Sequence, residues 1–157
     1  MILIPARNEG PRIGRVVCEC QMVCPDVPIV VVANGCSDDT EAQARAAGAH
    51  VIHSDPGYGA ALLAGYQHAS LQPSLPWLLQ LDADGQHPID AIPVLLDSLE
   101  DADLSIGSRL VSGGSAPGWP RHRRWTIAMM GMATSVLSGL RVRDVSSGFQ
   151  AMRPAVV

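Results

Sequence analysis

The sequence predicts a doubly wound α/β domain, in which a mostly parallel sheet carries helices on both faces. Short apolar runs alternate with amphipathic stretches four times in the first hundred residues, which is the pattern of repeated strand–helix units. Polar clusters follow these apolar runs directly. The chain has 157 residues, of which 47% are hydrophobic, so it can bury one sizeable core.

The first three elements are defined by apolar runs and by the residues that end them. Residues 2–4 read Ile-Leu-Ile and predict a short buried strand that Pro5 ends. Residues 12–24 carry apolar side chains at helical spacing, and Pro25 closes that helix. Residues 29–33 are mostly β-branched and predict the second strand.

The next two elements follow the same alternation. Residues 40–47 predict a helix that Ser37 or Asp38 can cap and that Gly48 ends. Residues 50–53 read His-Val-Ile-His and predict the third strand. The chain therefore completes two strand–helix units within about fifty residues.

The middle of the chain repeats the pattern twice more. A loop at 55–59 precedes a helix of small residues at 60–69. Residues 77–81 predict the fourth strand, and residues 89–99 predict a helix that Asp90 could cap.

The last third is less regular. Residues 104–108 predict the fifth strand, and a loop rich in Gly, Pro and Ser covers 112–120. Residues 125–140 predict a helix without charge, and residues 149–152 predict a final strand. We expect one domain over 1–157, which is either a minimal catalytic core or a piece truncated at its carboxyl end.

Polar clusters follow each of the first five predicted strands. They are Asn8-Glu9, 34–38, 55–59, 82–86 and Ser108-Arg109. In open α/β sheets, ligands bind at the carboxyl ends of the strands. Five clusters at equivalent positions therefore predict one binding site.

Charge and composition exclude several classes of protein. The net charge of −4 is too mild to indicate a nucleic-acid partner, and no apolar run is long enough to span a bilayer. We expect no signal peptide and a cytoplasmic location. The four cysteines show no paired CxxC pattern, so buried thiols are favoured over a metal site. Four Arg and 14 acidic residues precede residue 104, whereas seven Arg and one acidic residue follow, which favours anion binding by the later segment.

Asp82 and Asp84 stand two residues apart where the fourth predicted strand ends, and Gly85 follows. Two close carboxylates repel each other unless a proton or a cation lies between them. Mg²⁺ and Mn²⁺ suit such oxygen ligands and are often shared with substrate phosphates. The alternative is a solvated turn before a capped helix.

Taken in order, six motifs resemble those of family 2 of the glycosyltransferases. They are PARNE, ANGCSDDT, GYGAALLAG, LDADGQHP, GSR and DVSSGF. Within that family the chain is similar to the dolichyl- and polyprenyl-phosphate sugar synthases, and the resemblance covers residues 2–153. It implies the GT-A fold, a Rossmann-like sheet that binds a nucleotide sugar.

The resemblance also implies residue roles. Donor-binding residues would be Pro5, Ala6, Arg7, Glu9, Val31, Asn34, Gly59, Asp82, Ala83 and Asp84. The Mg²⁺ or Mn²⁺ ligands would be Asp82, Asp84 and Gln86. Acceptor-binding residues would be Arg109, Arg121, Arg123 and Arg124. Catalytic residues would be Asp84, Asp144 and Arg109, with the 146–149 turn closing the acceptor side.

The sequence departs from the family pattern at two places. Ala33-Asn34 stands where many relatives have an acidic pair, which leaves UDP and GDP both open as the donor nucleotide. GYG stands where some relatives have GKG, so Tyr58 brings no cation to the diphosphate.

These expectations combine into an inverting, metal-dependent enzyme that moves a hexose from UDP or GDP to a polyprenyl (dolichyl-type) phosphate. No carboxylate lies between Asp103 and Asp144. An alcohol acceptor would need a carboxylate or another general base to remove its proton. A phosphate acceptor needs no base because it is already ionised near neutral pH. The alternatives are transfer to a sugar or protein hydroxyl with Asp144 as base, or a non-catalytic nucleotide-sugar binding module. A sugar nucleotidyltransferase is disfavoured because PARNEGPR is a poor version of its Gly-rich, basic loop.

The helix at 125–140 has two interpretations. An uncharged helix is more often part of a core. The alternative is a helix at a membrane surface, with Trp119 and Trp125 at its boundary and arginines at the headgroups. A lipid acceptor makes peripheral association with the inner face of the membrane worth testing. The sequence indicates no oligomeric state.

Overall fold

The computed structural model describes residues 1–72, 74–111, 120–139 and 144–156, and only the backbone at Arg121, Arg123 and Arg124. The strands are β1 (Ile2–Ala6), β2 (Ile29–Asn34), β3 (His50–Ser54), β4 (Leu78–Gln80), β5 (Leu104–Ile106) and β6 (Gln150–Met152). The α-helices are α1 (Gly10–Val23), α2 (Thr40–Ala46), α3 (Tyr58–Ser70), α4 (Ile92–Asp97) and α5 (Arg121–Ser138). Short 3₁₀ turns occur at Ile89–Ala91, Ser98–Glu100 and Pro154–Val156.

The chain forms two compact units. Unit 1 comprises Met1–Ser105 with Gln150–Val157, and unit 2 comprises Ile106–Phe149. Unit 1 contains most of the sheet and α1 to α4, and unit 2 contains α5.

The described strands form one sheet in the order β3-β2-β1-β4-β6-β5. The β1 strand pairs in parallel with β2 and with β4, and β2 pairs in parallel with β3. The β6 strand runs antiparallel to β4. The prediction of a mostly parallel, doubly wound sheet is therefore confirmed.

Helices cover both faces of this sheet. The chain moves outward from β1 to β2 to β3 and then crosses to β4 on the other side of β1, so right-handed connections place α1 and α2 on one face and α3 on the other. On the α3 side, Ala61 packs in a core cluster with Leu3 and Val32. Ile4 on β1 and Ile13 on α1 are also fully buried, as a sheet covered on both faces requires.

Several helix bounds differ from those predicted. The α1 helix begins at Gly10 because Pro11 occupies its first turn, where proline is well tolerated. The α5 helix begins at Arg121, four residues before the predicted start at 125. The predicted helix at 89–99 is shorter, and 3₁₀ turns flank α4 at both ends. Asp90 makes no side-chain capping hydrogen bond among the described residues.

The fifth and final strands are shorter than predicted, at Leu104–Ile106 and Gln150–Met152. The predicted loop at 112–120 lies outside the described residues except for Pro120. Trp119 also lies outside the described residues, and so does Leu140, at which the helix predicted for 125–140 ends.

The α5 helix is largely exposed along its described side chains. Ile127 and Gly131 are buried, whereas Trp125 is 71% exposed and Leu137 is 88% exposed. The favoured interpretation of a core helix is therefore wrong for the described chain. Trp125, Met129, Met132 and Val136 recur at spacings of three and four residues and form one exposed face, which we call the α5 stripe. Among the described residues, no helix combines the length and hydrophobicity needed to cross a membrane.

Gly65 allows α3 to approach the sheet closely, and we predict that Gly65→Ala destabilises the protein. A Cβ at this position would lie 2.5 Å from both terminal methyl carbons of Leu3. Overpacking of this kind costs about 1–3 kcal/mol, which outweighs the roughly 0.5–1 kcal/mol that alanine gains over glycine within a helix. Urea unfolding of both proteins measures the difference.

Gly59→Ala is the matched control in the same helix, because an added Cβ there meets nothing within 4 Å. It should leave the free energy of unfolding unchanged or slightly raise it. Equal stability of Gly65→Ala and the wild type would contradict this description of the helix–sheet contact.

Candidate donor-binding site

The carboxyl ends of β1, β2 and β4 lie side by side, and the site is built where they meet. Ala6 pairs with Ala33, and Leu3 pairs with Gln80. The backbone N–H of Leu81 donates to the carbonyl of Leu3 at 3.1 Å, which carries the chain after β4 along the end of β1. The strand order reverses between β1 and β4, and such switch points are where doubly wound sheets bind ligands.

Asp82 follows β4 and has a partner at each carboxylate oxygen. The Tyr58 hydroxyl donates to Oδ1 at 3.3 Å, and His87 Nε2 lies 3.0 Å from Oδ2. The His87 side chain is only 4% exposed, whereas that of Asp82 is 33% exposed. Asp82 is thus held from both sides while part of it faces solvent.

A buried amide lies behind this contact. Gln80 is 2% exposed, its Nε2 donates to the Tyr58 oxygen at 3.2 Å, and its Oε1 accepts from the Tyr66 hydroxyl at 2.5 Å. Burial, and then the charge of Asp82, raise the pKa of Tyr58 to about 12, so the hydroxyl keeps its proton near neutral pH.

Asp84 forms the tight turn that follows. Its Oδ1 accepts from the backbone N–H of Gln86 at 3.0 Å, a local bond typical of aspartate in turns. Gly85 adopts φ +72°, and a Cβ there would lie 2.7 Å from the guanidinium of Arg15. Glycine is therefore required between the two residues predicted to face the metal.

The residues at this turn fit a hard divalent cation that shares its ligands with a substrate. Asp82, Asp84 and Gln86 offer carboxylate and amide oxygens, which suit Mg²⁺ and Mn²⁺. Within the part of the chain that the structure describes, no group of three or more His, Cys, Asp or Glu side chains could hold a metal ion. These donors match a cation completed by phosphate oxygens and water better than a closed protein cage.

The loops after β1 and β2 are tied together. Asn8, at φ +56°, accepts from the Ser37 backbone N–H at 2.8 Å through Oδ1. The Glu9 backbone N–H donates to the Thr40 hydroxyl at 2.8 Å, and that of Gly10 donates to Asp38 at 3.0 Å. The N-cap position of α2 is Asp39, which makes no side-chain capping bond, so the prediction that Ser37 or Asp38 caps this helix is wrong. Asp38 instead accepts from the Thr40 backbone N–H at 3.0 Å in the turn before the helix.

The predicted donor residues of β1 and its loop differ in accessibility. Pro5 and Ala6 are buried, Arg7 is exposed, and Glu9 forms an ion pair with Arg12 at 2.8 Å. Arg7 and Glu9 are therefore the members of this segment whose side chains are available to a ligand.

On β2, the side chains of the predicted donor residues point into the protein. Val31 is fully buried in the sheet. Asn34 is 4% exposed, and its Oδ1 accepts from the Gly57 backbone N–H at 2.7 Å. This bond fixes the loop before α3. Sequence reasoning missed this structural contact of Asn34.

Gly59 and Ala83 complete the predicted donor set. Gly59 lies in the first turn of α3, and space is open where a Cβ would stand. Ala83 is buried between the two aspartates. Unit 1 thus brings most predicted donor residues to one edge of its sheet, and their contacts with a ligand stay predictions.

Unit 2 contains a buried carboxylate. Asp144 is 1% exposed, and its Oδ1 accepts from the Ser146 hydroxyl at 2.8 Å and from the Ser146 backbone N–H at 3.2 Å. Its Oδ2 accepts from the Arg109 backbone N–H at 3.4 Å. The side chains of Arg121, Arg123 and Arg124 lie outside the described part of the structure.

Sequence reasoning missed the polar network behind Asp82, formed by Tyr58, Tyr66, Gln80 and His87. A signal for one member was present, since Gln80 and Asp82 are two residues apart and share a face of the strand if it continues. No local pattern could have revealed Tyr58, which is 24 residues from Asp82.

The chain is thus an α/β protein of the doubly wound class, with two carboxylates beyond the strand at the switch point where such sheets bind ligands. The chain matches the model of glycosyl transferase family 2 over residues 1–157, and it belongs to that family. The predicted resemblance is therefore confirmed.

Curated relatives agree with this assignment. Polyprenol monophosphomannose synthase of Mycolicibacterium smegmatis is 34% identical over 166 residues, which cover 100% of this chain and 62% of that protein. Dolichyl-phosphate hexose transferase of Haloferax volcanii is 34% identical, over 97% of this chain and 65% of that protein. The chain spans less than two thirds of the length of these curated relatives.

The fold is shared with solved GT-A glycosyltransferases. Glucosyl-3-phosphoglycerate synthase from Mycobacterium tuberculosis, solved with Mn²⁺, UDP and glucosyl-3-phosphoglycerate, aligns with a TM-score of 0.71 at 21% identity, over 99% of this chain and 56% of that one. The prediction of a GT-A fold is confirmed.

The bonds of Asp38 predict a pH-dependent contribution to stability. The hydrogen bond from the Thr40 hydroxyl holds the pKa of Asp38 below its usual range. A lowered pKa stabilises the folded state above the unfolded pKa of about 3.9, and this stabilisation is lost as the pH falls through the folded value. The stability difference between wild type and Asp38→Asn should be largest above about pH 5 and shrink below about pH 4.

Urea unfolding from pH 3 to pH 7 measures this difference. Asp97→Asn, which removes the exposed carboxylate of the last residue of α4, reports the background pH dependence. A wild-type minus Asp38→Asn difference that stays constant across the range would contradict the assignment.

Proposed function

We propose that this chain is the catalytic region of an inverting, metal-dependent glycosyltransferase that moves a hexose from a nucleotide diphosphate to a polyprenyl-type lipid phosphate. The observation that carries the proposal is the Asp82-Ala83-Asp84 turn at the switch point of the sheet, in a chain of this family. The names of the relatives support both the lipid phosphate and, among hexoses, mannose.

The residues of unit 1 would bind the donor. Asp82 and Asp84, with Gln86, would hold Mg²⁺ or Mn²⁺ and the diphosphate, while Arg7 and Glu9 would lie against the nucleoside. A bound divalent cation would stabilise the negative charge that develops on the leaving diphosphate. The aspartates then act as ligands and transfer no proton.

Residues of unit 2 would bind the acceptor phosphate. Arg109, Arg121, Arg123 and Arg124 supply positive charge in a segment with a single acidic residue, Asp144. A phosphate monoester is largely ionised near neutral pH because its second pKa is about 6. Its oxygen attacks the anomeric carbon, a new carbon–oxygen bond forms, the bond to the diphosphate breaks, and the configuration inverts.

Transfer to a hydroxyl is the second candidate and would need a base. Asp144 is the candidate base, but it is buried and its two oxygens accept from Ser146 and Arg109. A carboxylate in this position is better suited to holding a loop than to receiving a proton from an incoming alcohol. This burial favours the phosphate acceptor.

The lipid acceptor gives the α5 stripe a proposed role. Its exposed Trp, Met and Val side chains would lie at the surface of a membrane that carries the acceptor. The inner face of the cytoplasmic membrane is the location that we propose, since nucleotide sugars are cytoplasmic substrates.

We predict that the protein binds a nucleotide diphosphate only with Mg²⁺ or Mn²⁺, and that Asp84→Ala weakens this binding by at least about tenfold, because a metal ligand is lost. Calorimetry with UDP and with GDP, each with and without Mn²⁺, measures the affinities. Asp97→Ala removes the exposed carboxylate of the last residue of α4; it is the matched control and should bind as the wild type does. Binding that is equally metal-dependent without Asp84 would contradict the site assignment.

We predict that a polyprenyl phosphate accepts the sugar at least about 100-fold faster than the polyprenol of the same chain length, because no base is positioned for the alcohol. Product formation from the two acceptors with one labelled nucleotide sugar measures the ratio. Asp144→Asn should keep turnover with the phosphate. The hydroxyl-acceptor function is correct if Asp144→Asn abolishes turnover without changing the stability of the protein. It is also correct if the alcohol reacts as fast as the phosphate.

A further inference from the structure

Tyr58 is not among the residues predicted to bind donor, metal or acceptor, yet its hydroxyl contacts the carboxylate of Asp82. It donates to Oδ1 of Asp82 at 3.3 Å and accepts from Nε2 of Gln80 at 3.2 Å. A tyrosine hydroxyl has a single proton. Because Gln80 approaches it as a donor, that proton is directed to Asp82.

The orientation of Gln80 is set by the residue behind it. The Tyr66 hydroxyl donates to Oε1 of Gln80 at 2.5 Å, which turns the amide NH₂ toward Tyr58. The donors therefore all point the same way, from Tyr66 through Gln80 and Tyr58 to Asp82. Hydrogen bonds aligned in this way strengthen one another, and a carboxylate is a strong final acceptor.

The backbone that carries Tyr58 is fixed independently. The Gly57 N–H donates to Oδ1 of the buried Asn34 at 2.7 Å. Gly57 adopts φ +134°, a conformation that side-chain-bearing residues rarely adopt. Tyr58 is thus held in place at its backbone by β2 and at its hydroxyl by Gln80.

The opposite oxygen of Asp82 is held by His87, whose buried Nε2 lies 3.0 Å from Oδ2. Asp82 is therefore fixed at both oxygens before any ligand arrives. Ligands held by a second layer of hydrogen bonds lose less freedom on binding. The Asp82 side chain is 33% exposed, so part of its carboxylate faces solvent.

We propose that Tyr58 is a positioning residue, which fixes the rotamer of Asp82 for binding a nucleotide diphosphate with its divalent cation. Gln80 and Tyr66 set the direction of the Tyr58 hydroxyl. The identity of the ligand rests on the proposed function. The link between Tyr58 and Asp82 rests on the hydrogen bonds alone.

Tyr58→Phe tests the proposal, because it removes the hydroxyl and keeps the ring. We expect the affinity for UDP or GDP with Mn²⁺ to fall about three- to tenfold, the usual effect of one lost hydrogen bond. Calorimetry measures it with the nucleotide that the wild type binds more tightly. Tyr58→Phe with wild-type affinity overturns the proposal.

A matched control separates positioning from a loss of stability. Gln21→Met removes the hydrogen bond from Gln21 Nε2 to the Ala47 carbonyl, which is 3.0 Å long and joins α1 to the end of α2. It should lower the melting temperature without changing the nucleotide affinity. If Gln21→Met weakens binding as much as Tyr58→Phe does, the effect of Tyr58 is one of stability and the proposal fails.

A double-mutant cycle with Asp82→Ala, read by urea unfolding without ligand, tests the link itself. Tyr58→Phe should change the unfolding equilibrium constant about three-fold less in the Asp82→Ala background than in the wild type. Additive effects overturn the proposal. If the wild type binds neither nucleotide, the proposed function fails, and the cycle alone then decides whether Tyr58 holds Asp82.

Discussion

The parallel pairing of β1 with β2 on one side and β4 on the other determines where the polar side chains of unit 1 lie. All five residues of β1 are buried, so the strand can exist only with sheet neighbours at its edges and helices on its faces. Parallel pairing brings the carboxyl ends of the three strands to one edge. The loops after β1 and β2 and the turn after β4 therefore meet, although they are separated by up to about 75 residues in sequence.

This edge is stabilised by polar contacts between loops. Asn34 fixes the loop at Gly57, Asp38 and Thr40 fix the start of α1, and Tyr58 reaches across to Asp82. The contacts of Asn34, Asp38 and Thr40 satisfy partly buried polar groups, which would otherwise cost free energy. Among these contacts, the bond from Tyr58 reaches Asp82 and is the one that we propose to orient its carboxylate before a ligand binds.

The sequence predicted the sheet and the aspartate turn because both depend on local patterns. The β-branched run of β2 and the DAD-Gly turn can be recognised from adjacent residues. It could not predict that Tyr58 contacts Asp82, because that bond joins residues 24 apart through a strand order that no local pattern encodes. The interpretation of α5 as a core helix is wrong because burial depends on what covers a helix, and an uncharged sequence does not determine that.

The central proposal is that the turn after β4 holds the cation and the diphosphate. The most direct measurement is anomalous diffraction at the manganese edge, from a crystal of this chain soaked with Mn²⁺ and a nucleoside diphosphate. The account predicts one strong peak within coordination distance of Asp84 and of the diphosphate oxygens. A manganese peak on other residues, with the nucleotide bound away from Asp82 and Asp84, would contradict it.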